Sequence, residues 1–169
     1  SRHEFSRKIV EHLHLDKYLN WLAGAVLTMN NDGFTHNYAL YRNSETELFE
    51  IIPWDYDATW GRRVDGGKMA FDYVSIQGKE ENYLTQRIFD IPEFRKRYKE
   101  KLEDILETKF TLDYMEGKIE SLHNSLRPHI LNDPYKKRKM DEYDQEPEYI
   151  YQFIKDRTKY IKDQLVQFI

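Results

Sequence analysis

The sequence contains no cysteine, which excludes disulfide bonds, thiolate metal sites and a cysteine nucleophile. No apolar run is long enough to span a membrane, so we expect no membrane partner. No charge of one sign dominates, because 30 acidic and 26 basic residues are interspersed and leave a formal charge of −4. This balance argues against a general nucleic-acid-binding protein. Glycine is scarce, and four of the seven glycines fall between positions 61 and 78, where we expect a loop.

The residues that are present indicate a globular protein. Hydrophobic residues make up 40% of the chain and charged residues 33%, and a length of 169 residues suits one domain with a real core. The chain begins with Ser-Arg-His-Glu-Phe, without methionine and with helix-like content from the start. We therefore expect residues 1–169 to be a single domain or a fragment of a longer protein.

Apolar periodicity predicts a mainly helical α+β fold with one small hairpin. Residues 15–30 carry apolar side chains at helical spacing, with Asp16 as the expected N-cap. Two aromatic-rich stretches, 37–43 and 48–55, predict strands joined by a turn, and Pro53 should end their regular pairing. Further helices are predicted at 91–110, 111–130 and 147–169.

The apolar stripes of these last three helices are predicted to face the core rather than a ligand. The stripe of the second one consists of Leu112, Met115, Ile119, Leu122 and Leu126. The charged stretch that follows, residues 132–147, is predicted to be a solvated loop. Its basic run is a candidate contact for an acidic partner.

Polar residues flank the predicted hairpin at its open end. Asp32 and Asn37 come before the first strand, while Asp55 and Asp57 follow the second. Because the open ends of an antiparallel hairpin lie side by side, we expect Asp32, Asn37 and Asp55 to converge in space. Carboxylate and amide oxygens suit Mg²⁺, which also keeps waters and substrate phosphates as ligands. The sequence therefore predicts a site for a hard cation.

The spacing Asp32-x-x-x-x-Asn37, with an acid beyond a hairpin, is typical of the groups that protein kinases use for phosphoryl transfer. The pattern departs from theirs in three respects. Asn-Asn at 30–31 stands where kinases have His-Arg, Asp-Tyr-Asp at 55–57 replaces Asp-Phe-Gly, and no glycine-rich phosphate loop precedes the cluster. An ordinary protein kinase is therefore excluded.

Two stretches, NNDGFTHNYALYRN and FEIIPWDYDATWG, resemble the signature of the CotH kinase family, the atypical kinases of the bacterial spore coat. The block PWDYDATWG is the strongest match, and the likeness extends over residues 21–61. The resemblance implies the C-terminal lobe of a protein-kinase-like fold that phosphorylates Ser on spore-coat proteins, in the spore coat. It implies ATP and Mg²⁺ as cofactors, with Mn²⁺ as the alternative metal, and a nucleotide-gripping lobe before residue 1.

The same resemblance implies a role for each polar residue at the open end of the hairpin. Asp32 would be the catalytic aspartate, Asn37 and Asp55 would bind the metal and ATP, and Asp57 would be a further metal ligand. Each has a plainer interpretation as well. Asp32 suits an Asx-turn after a helix, Asn37 suits a cap of the hairpin, and Asp57 suits an acceptor for backbone N–H groups.

The aromatic and basic residues beside this cluster are expected to be structural. Trp54 and Trp60 should pack rather than stack on a nucleotide base. Arg62 and Arg63 follow the acids directly, and we expect them to balance the negative charge of the aspartates at 55 and 57 rather than to bind phosphate.

Two other functions stay open at the level of the sequence. The chain could be a non-catalytic spore-coat scaffold or a surface binding protein that retains the kinase-like fold. It could also be a metal-dependent hydrolase that uses the same acids with water as the nucleophile, which predicts hydrolysis of ATP without labelling of an acceptor. The complete set of Asp32, Asn37 and Asp55 favours the kinase over the scaffold.

Overall fold

A computed structural model describes residues 1–136 and 139–168 of the chain. This part contains seven α-helices, one 3₁₀ turn and a two-stranded sheet, which confirms the predicted mainly helical α+β class. The elements in chain order are α1 (Arg2–Ile9), α2 (Leu15–Leu27), the 3₁₀ turn (Asp32–Phe34), β1 (Tyr38–Arg42), β2 (Phe49–Pro53), α3 (Tyr83–Phe89), α4 (Pro92–Thr108), α5 (Leu112–Asn132), α6 (Met140–Asp144) and α7 (Glu146–Leu165).

Helix α2 lies at the centre of the hydrophobic core. Nine of its 13 residues are buried, including every apolar residue that the sequence predicts for its inner face. It packs against α4, β2 and α7. A helix that is buried nearly all round has dense packing on every side and little freedom to shift. Its C-terminal end is therefore a fixed support for the residues that follow.

The start of α2 differs from the prediction. The N-cap is His14, whose Nδ1 accepts a hydrogen bond from the backbone N–H of Lys17 at 3.4 Å. Asp16 lies inside the first turn, where its carboxylate pairs with Arg97 at 2.8 Å and Lys101 at 3.4 Å. The predicted cap at Asp16 is wrong because the helix begins two residues earlier than that cap would allow.

The end of α2 is closed by a backbone motif that turns the chain sharply. Met29 has a φ of 55°, and its N–H donates to the carbonyl of Val26 at 3.2 Å. The N–H of Asn30 donates to the carbonyl of Ala25 at 2.8 Å. This left-handed position usually holds glycine, and the conformation costs another residue about 1–2 kcal/mol. Met29 is fully buried, so its packing offsets that cost.

Strands β1 and β2 form the predicted antiparallel hairpin. Tyr38 lies opposite Pro53 in the last pair of the ladder, as expected for a proline that ends the pairing. Trp21 of α2 contacts Tyr38, with ring centroids 6.1 Å apart. The open end of the hairpin therefore rests on the central helix.

Residues 61–81 form the predicted loop, since this stretch contains only turns and isolated bridges in the structure. Val74 and Ile76 of the loop are buried. Tyr98 of α4 is fully buried too, and its hydroxyl donates to the carbonyl of Ile76 at 2.8 Å. These anchors hold the second half of the loop against the core.

Helix α5 departs furthest from the prediction. None of its residues is buried. Leu112, Met115 and Ile119 are partly buried against the core, whereas Leu122 and Leu126 are 62% and 50% exposed. The predicted core stripe is therefore wrong for its second half. Periodicity marks the apolar face of a helix, but it carries no information about which element covers that face.

The stretch 132–147 is also more ordered than predicted. Met140–Asp144 form helix α6 instead of a loop. The guanidinium of Arg127 on α5 donates to both carboxylate oxygens of Asp144, each at 2.7 Å, and such a bidentate pair fixes the two helix segments relative to each other. Residues 137 and 138 of the predicted basic run lie outside the described residues.

Candidate active site at the open end of the hairpin

The turn that carries Asp32 is fixed by an asparagine at the end of α2. Asn30 is fully buried, and its Oδ1 accepts the backbone N–H of Gly33 at 3.1 Å. A Cβ added to Gly33 would stand 2.4 Å from Nδ2 of Asn30, so no larger residue fits there. The Asn-Asn-Asp-Gly sequence therefore sets the path of the chain through Asp32.

Each oxygen of the Asp32 carboxylate lies near a nitrogen of a neighbouring side chain. Oδ2 accepts a hydrogen bond from Nδ2 of Asn37 at 2.7 Å. Oδ1 lies 3.3 Å from Nδ1 of His36, an exposed side chain. The Asp32 side chain is one-third exposed. A carboxylate oriented in this way can accept a further hydrogen bond from an incoming hydroxyl group.

Asn37 joins the two sides of the hairpin opening. Its Nδ2 donates to Oδ2 of Asp32 at 2.7 Å and lies 3.5 Å from Oδ2 of Asp55, at the outer limit of a hydrogen bond. The structure thus brings together the three side chains that the hairpin argument predicts to converge. Because Nδ2 faces the carboxylates, the amide oxygen Oδ1 accepts no hydrogen bond within the described part of the chain.

Asp55 is exposed and has an unusual backbone conformation. Its φ is 57°, in the left-handed region that costs a residue other than glycine about 1–2 kcal/mol. Contacts further along the chain hold this segment in place. Oγ1 of the buried Thr59 donates to the carbonyl of Tyr56 at 2.7 Å, and the N–H of Trp60 donates to the carbonyl of Thr28 at 2.7 Å. The second bond attaches the segment to the end of α2.

Tyr56, between the two aspartates, turns inward. Burial raises the pKa of its phenol above the ordinary value of 10, while the side chains of Asn30 and Trp21 act in the opposite direction. Neither Nδ2 of Asn30 nor Nε1 of Trp21 has a hydrogen bond of normal geometry to any described residue. The hydroxyl of Tyr56 lies near both of these buried nitrogens without a hydrogen bond of normal geometry to either.

Asp57 lies two residues beyond Asp55 on the same segment. Its side chain is exposed, and its carboxylate has no hydrogen bond or ion pair with the described residues. The alternative prediction, that this carboxylate accepts backbone N–H groups, is therefore wrong for the described part of the chain. Trp60 packs as predicted, stacked on Phe110 with ring centroids 5.8 Å apart. Trp54 does not, because the residue is 67% exposed.

The two arginines after the acids have other partners than predicted. Arg62 pairs with Glu146 of α7 at 2.6 Å and lies 4.0 Å from the ring centroid of Tyr149. Arg63 pairs with Asp65 in its own loop at 3.0 Å. The expectation that they balance the aspartates at 55 and 57 is therefore wrong. Each arginine pairs with another carboxylate instead. The partner of Arg62 is 84 residues away along the chain, so its position next to the aspartates in the sequence does not reveal that partner.

A cleft of about 600 Å³ opens beside Asp32. Asn31 and Asp32 contribute one part of its lining, and Met69, Ala70 and Tyr73 of the 61–81 loop contribute another. This volume lies in the range of ligand-binding clefts in proteins. The cleft is therefore large enough to hold part of a ligand beside Asp32.

The donor set at the hairpin opening fits a metal that arrives with its own ligands. Within residues 1–136 and 139–168, no group of three or more His, Asp or Glu side chains is placed to hold a metal ion. The site offers the carboxylate of Asp55, the amide oxygen of Asn37 and the carboxylate of Asp32. Mg²⁺ is commonly held by one or two carboxylates together with waters and substrate phosphates. These residues therefore suit a magnesium–nucleotide better than a free ion.

Comparison with known families bears on this arrangement. The family model described as CotH kinase protein matches residues 1–161. The chain belongs to the CotH kinase family. The match includes α2, the turn at Asp32, the hairpin and most of α7. It confirms the resemblance that the stretches around Asp32 and Asp55 indicate.

A relative of this CotH-family chain is the inner spore coat protein H of Bacillus subtilis (strain 168). The two are 55% identical over 162 residues, which is 96% of this chain and 44% of the relative. The chain therefore spans less than half the length of that curated relative. The expected location in the spore coat agrees with the relative's name. No helix in the described part of this CotH-family chain is long and apolar enough to cross a membrane.

Sequence reasoning missed several residues that shape the site of this CotH-family chain. Tyr56 and Asn30 lie beside the aspartates, and the sequence analysis assigned roles only to the acids and to Asn37. Arg157 is fully buried on α7, although it is charged. A signal for it exists in the sequence, because it lies three residues from Ile154 and four from Ile161, on the apolar face of that helix.

Proposed function

We propose that this chain is the kinase-like C-terminal lobe of an ATP-dependent protein kinase that phosphorylates Ser residues of spore-coat proteins in the spore coat. The observation that carries the proposal is the amide of Asn37, which lies 2.7 Å from Asp32 and 3.5 Å from Asp55. Phosphoryl transfer needs an acceptor-orienting carboxylate beside metal-binding oxygens, and these three residues supply both. The family description and the relative's name support the reaction and the location, respectively.

Asp32 is the proposed catalytic residue. Its Oδ2 is held by Asn37, so the carboxylate has one orientation and presents Oδ1 for an acceptor. A serine hydroxyl in the cleft would donate its hydrogen bond to this carboxylate, which orients the hydroxyl and takes its proton. The serine oxygen would then form its bond to the γ-phosphorus as the bond from that phosphorus to the β–γ bridging oxygen breaks and ADP leaves. General-base and positioning contributions of this kind are worth about 10²–10⁴-fold in rate.

Asn37 and Asp55 are the proposed ligands of Mg²⁺, or of Mn²⁺, and through it of ATP. Asn37 would use Oδ1, the amide atom with no hydrogen bond in the described residues, and Asp55 its exposed carboxylate. We propose Asp57 as a further ligand of the metal, since its exposed carboxylate lies two residues beyond Asp55 in the sequence. When bound, the metal neutralises negative charge on the phosphates. The groups that grip the remainder of the nucleotide would belong to the longer protein.

The backbone of the site is fixed before any ligand binds. Asn30, Gly33 and the buried end of α2 set the position of Asp32, and the bond from Trp60 to Thr28 attaches the Asp55 segment to the same helix end. Groups held in advance need little reorganisation during the reaction, and this lowers the barrier to phosphoryl transfer.

The test is transfer of label from γ-labelled ATP to a Ser-rich coat protein by the full-length protein with Mg²⁺. Asp32→Asn and Asp55→Asn should each lower the rate by about 100-fold or more, because each removes a negative charge from the site. Asp113→Asn is the matched control, since it makes the same change at an exposed position in the first turn of α5 and should leave the rate unchanged.

Each other outcome points to a named alternative. A folded wild type that binds ATP and labels no acceptor, with Mg²⁺ or Mn²⁺, would contradict the kinase proposal and favour the coat scaffold. Release of phosphate from ATP without labelling, abolished in both aspartate variants, would identify a metal-dependent hydrolase. Equal loss in all three variants would show that the assay reports folding rather than chemistry.

A further inference from the structure

The largest side chain that is fully buried in the described residues belongs to Arg157 of α7. A buried arginine normally faces a carboxylate, because an uncompensated charge in the interior is costly. Here the recorded hydrogen bonds of Arg157 go to backbone carbonyls, and no ion pair with a described acid accompanies them. Burial lowers the pKa of the guanidinium to about 10, so it stays protonated at neutral pH. The charge is stabilised by these carbonyl dipoles, by the ring of Tyr160, whose centroid lies 5.3 Å from the guanidinium carbon, and by the negative charge of Asp72.

These carbonyls come from two segments of the chain. Nε of Arg157 donates to the carbonyl of Val26 at 3.1 Å, and a second nitrogen donates to the same oxygen. Nη1 donates to the carbonyls of Phe71 and Val74, each at 2.7 Å. Val26 belongs to the last turn of α2, where a cation is favourable, and its carbonyl also accepts the N–H of Met29. Phe71 and Val74 belong to the 61–81 loop.

The two segments continue into different parts of the cleft beside Asp32. The chain runs from Val26 through the tight turn at Met29 to Asn31 and Asp32, which line the cleft. The loop contributes the lining residues just before and between the two tethered carbonyls, namely Met69, Ala70 and Tyr73. One guanidinium therefore connects two of the segments that line the cleft through hydrogen bonds to backbone atoms.

We propose that Arg157 is a positioning residue that sets the separation between Asp32 and the 61–81 loop, and thereby the fit of the acceptor chain in the cleft. The proposal rests on the proposed kinase function and adds to it a residue that touches neither nucleotide nor acceptor. The guanidinium is suited to the task because its planar fork reaches several acceptors at once. A lysine ammonium is a compact donor that cannot span carbonyls of both segments.

The first test is Arg157→Lys in the full-length protein, with a Ser-rich coat protein as the acceptor. We expect the KM for the acceptor to rise about tenfold while the KM for ATP changes less than about twofold. Amide hydrogen exchange at residues 71–76 should become at least tenfold faster, since the loop loses its tether. Arg95→Lys is the matched control, because Arg95 also donates to a backbone carbonyl, that of Phe89, at 3.0 and 2.6 Å.

The outcomes distinguish a failure of the positioning role of Arg157 from a failure of the proposed kinase function. An equal rise in both KM values, or an effect no larger than that of Arg95→Lys, would overturn the positioning role. If the wild type transfers no label, the proposed function fails. Direct binding of the same coat protein then decides the positioning role, and an unchanged Kd in Arg157→Lys overturns it.

A second variant covers the case in which Arg157→Lys does not fold. Tyr98→Phe removes only the hydroxyl that donates to Ile76 of the same loop, and it keeps the shape of the ring. We expect a rise of about threefold in the acceptor KM, or in the Kd of the coat protein, with an unchanged KM for ATP. No change in acceptor affinity would overturn the proposal that buried tethers of the loop set the fit of the cleft.

Discussion

Asn82 joins three elements around the candidate site, and its replacement gives a sharp prediction. The residue is buried, and its Oδ1 accepts the backbone N–H of Thr85 at 3.1 Å, which caps helix α3. Its Nδ2 donates to the carbonyl of Phe34, in the turn that begins at Asp32, at 2.9 Å. The hydroxyl of Tyr18 on α2 lies 3.4 Å from the same Oδ1.

We expect Asn82→Ala to lower the free energy of unfolding by about 2–4 kcal/mol. Loss of an N-cap costs about 1 kcal/mol. The carbonyl of Phe34 would remain buried without its donor, which adds about 1–3 kcal/mol. For a chain of this length, a loss of about 3 kcal/mol lowers Tm by about 10 °C. Urea denaturation followed by circular dichroism measures the change.

Two companion variants separate the contribution of the N-cap from that of the hydrogen bond to the Phe34 carbonyl. Asn82→Asp keeps a cap acceptor but points a carboxylate oxygen at the Phe34 carbonyl, so it should also destabilise the chain, by about 2 kcal/mol. Thr111→Ala removes an exposed cap, that of α5, and should cost only about 1 kcal/mol. If Asn82→Ala costs no more than Thr111→Ala, or if Asn82→Asp matches the wild type, the bond to Phe34 contributes nothing and the reasoning is refuted.

Two further predictions concern stability. Gly61→Ala should destabilise the chain by about 2–4 kcal/mol, because φ is +74° and the new Cβ would lie 2.8 Å from the Tyr149 hydroxyl oxygen. Gly117→Ala, in open space on α5, should instead stabilise the chain by about 0.5–1 kcal/mol, measured by the same urea denaturation. If both glycine variants change the free energy of unfolding in the same direction, the argument is contradicted. Burial raises the pKa of Tyr98 far above 10, so its contribution to stability is complete below pH 10 and is lost as the pH rises further. Tyr98→Phe should therefore lose less stability than the wild type between pH 9 and pH 11, and parallel curves would show that Tyr98 does not cause the alkaline loss.

Local patterns predicted the centre of this fold correctly, since they depend on rules that act within a few residues. The alternation in 37–43 and 48–55 placed the strands, and the periodicity of 15–30 placed the buried face of α2. The convergence of Asp32, Asn37 and Asp55 followed because hairpin geometry fixes where its ends lie. Each inference needed only the chemistry of adjacent residues.

Two wrong predictions, the cap at Asp16 and the partner of Arg63, were local, and others depended on partners far away along the chain. Leu122 and Leu126 have the spacing of core residues, yet no described element covers them. Arg62 was assigned to the aspartates beside it but pairs with Glu146, and Arg157 binds carbonyls more than 80 residues away. A single sequence contains the side chains of such contacts without the tertiary distances that select among them. The metal-binding and catalytic roles of the site residues stay predictions for the same reason.

The side chains proposed for chemistry are separate from those that keep the chain folded. Asp32, Asn37 and Asp55 are partly or fully exposed and contact mainly one another, while the core is apolar and lies beneath them. Selection for the proposed chemistry and selection for folding would therefore act on different positions. A gene copy that lost the aspartates would still encode a folded protein that could be kept for its surface alone. Lineages with this architecture are expected to divide into active and inactive branches of similar shape.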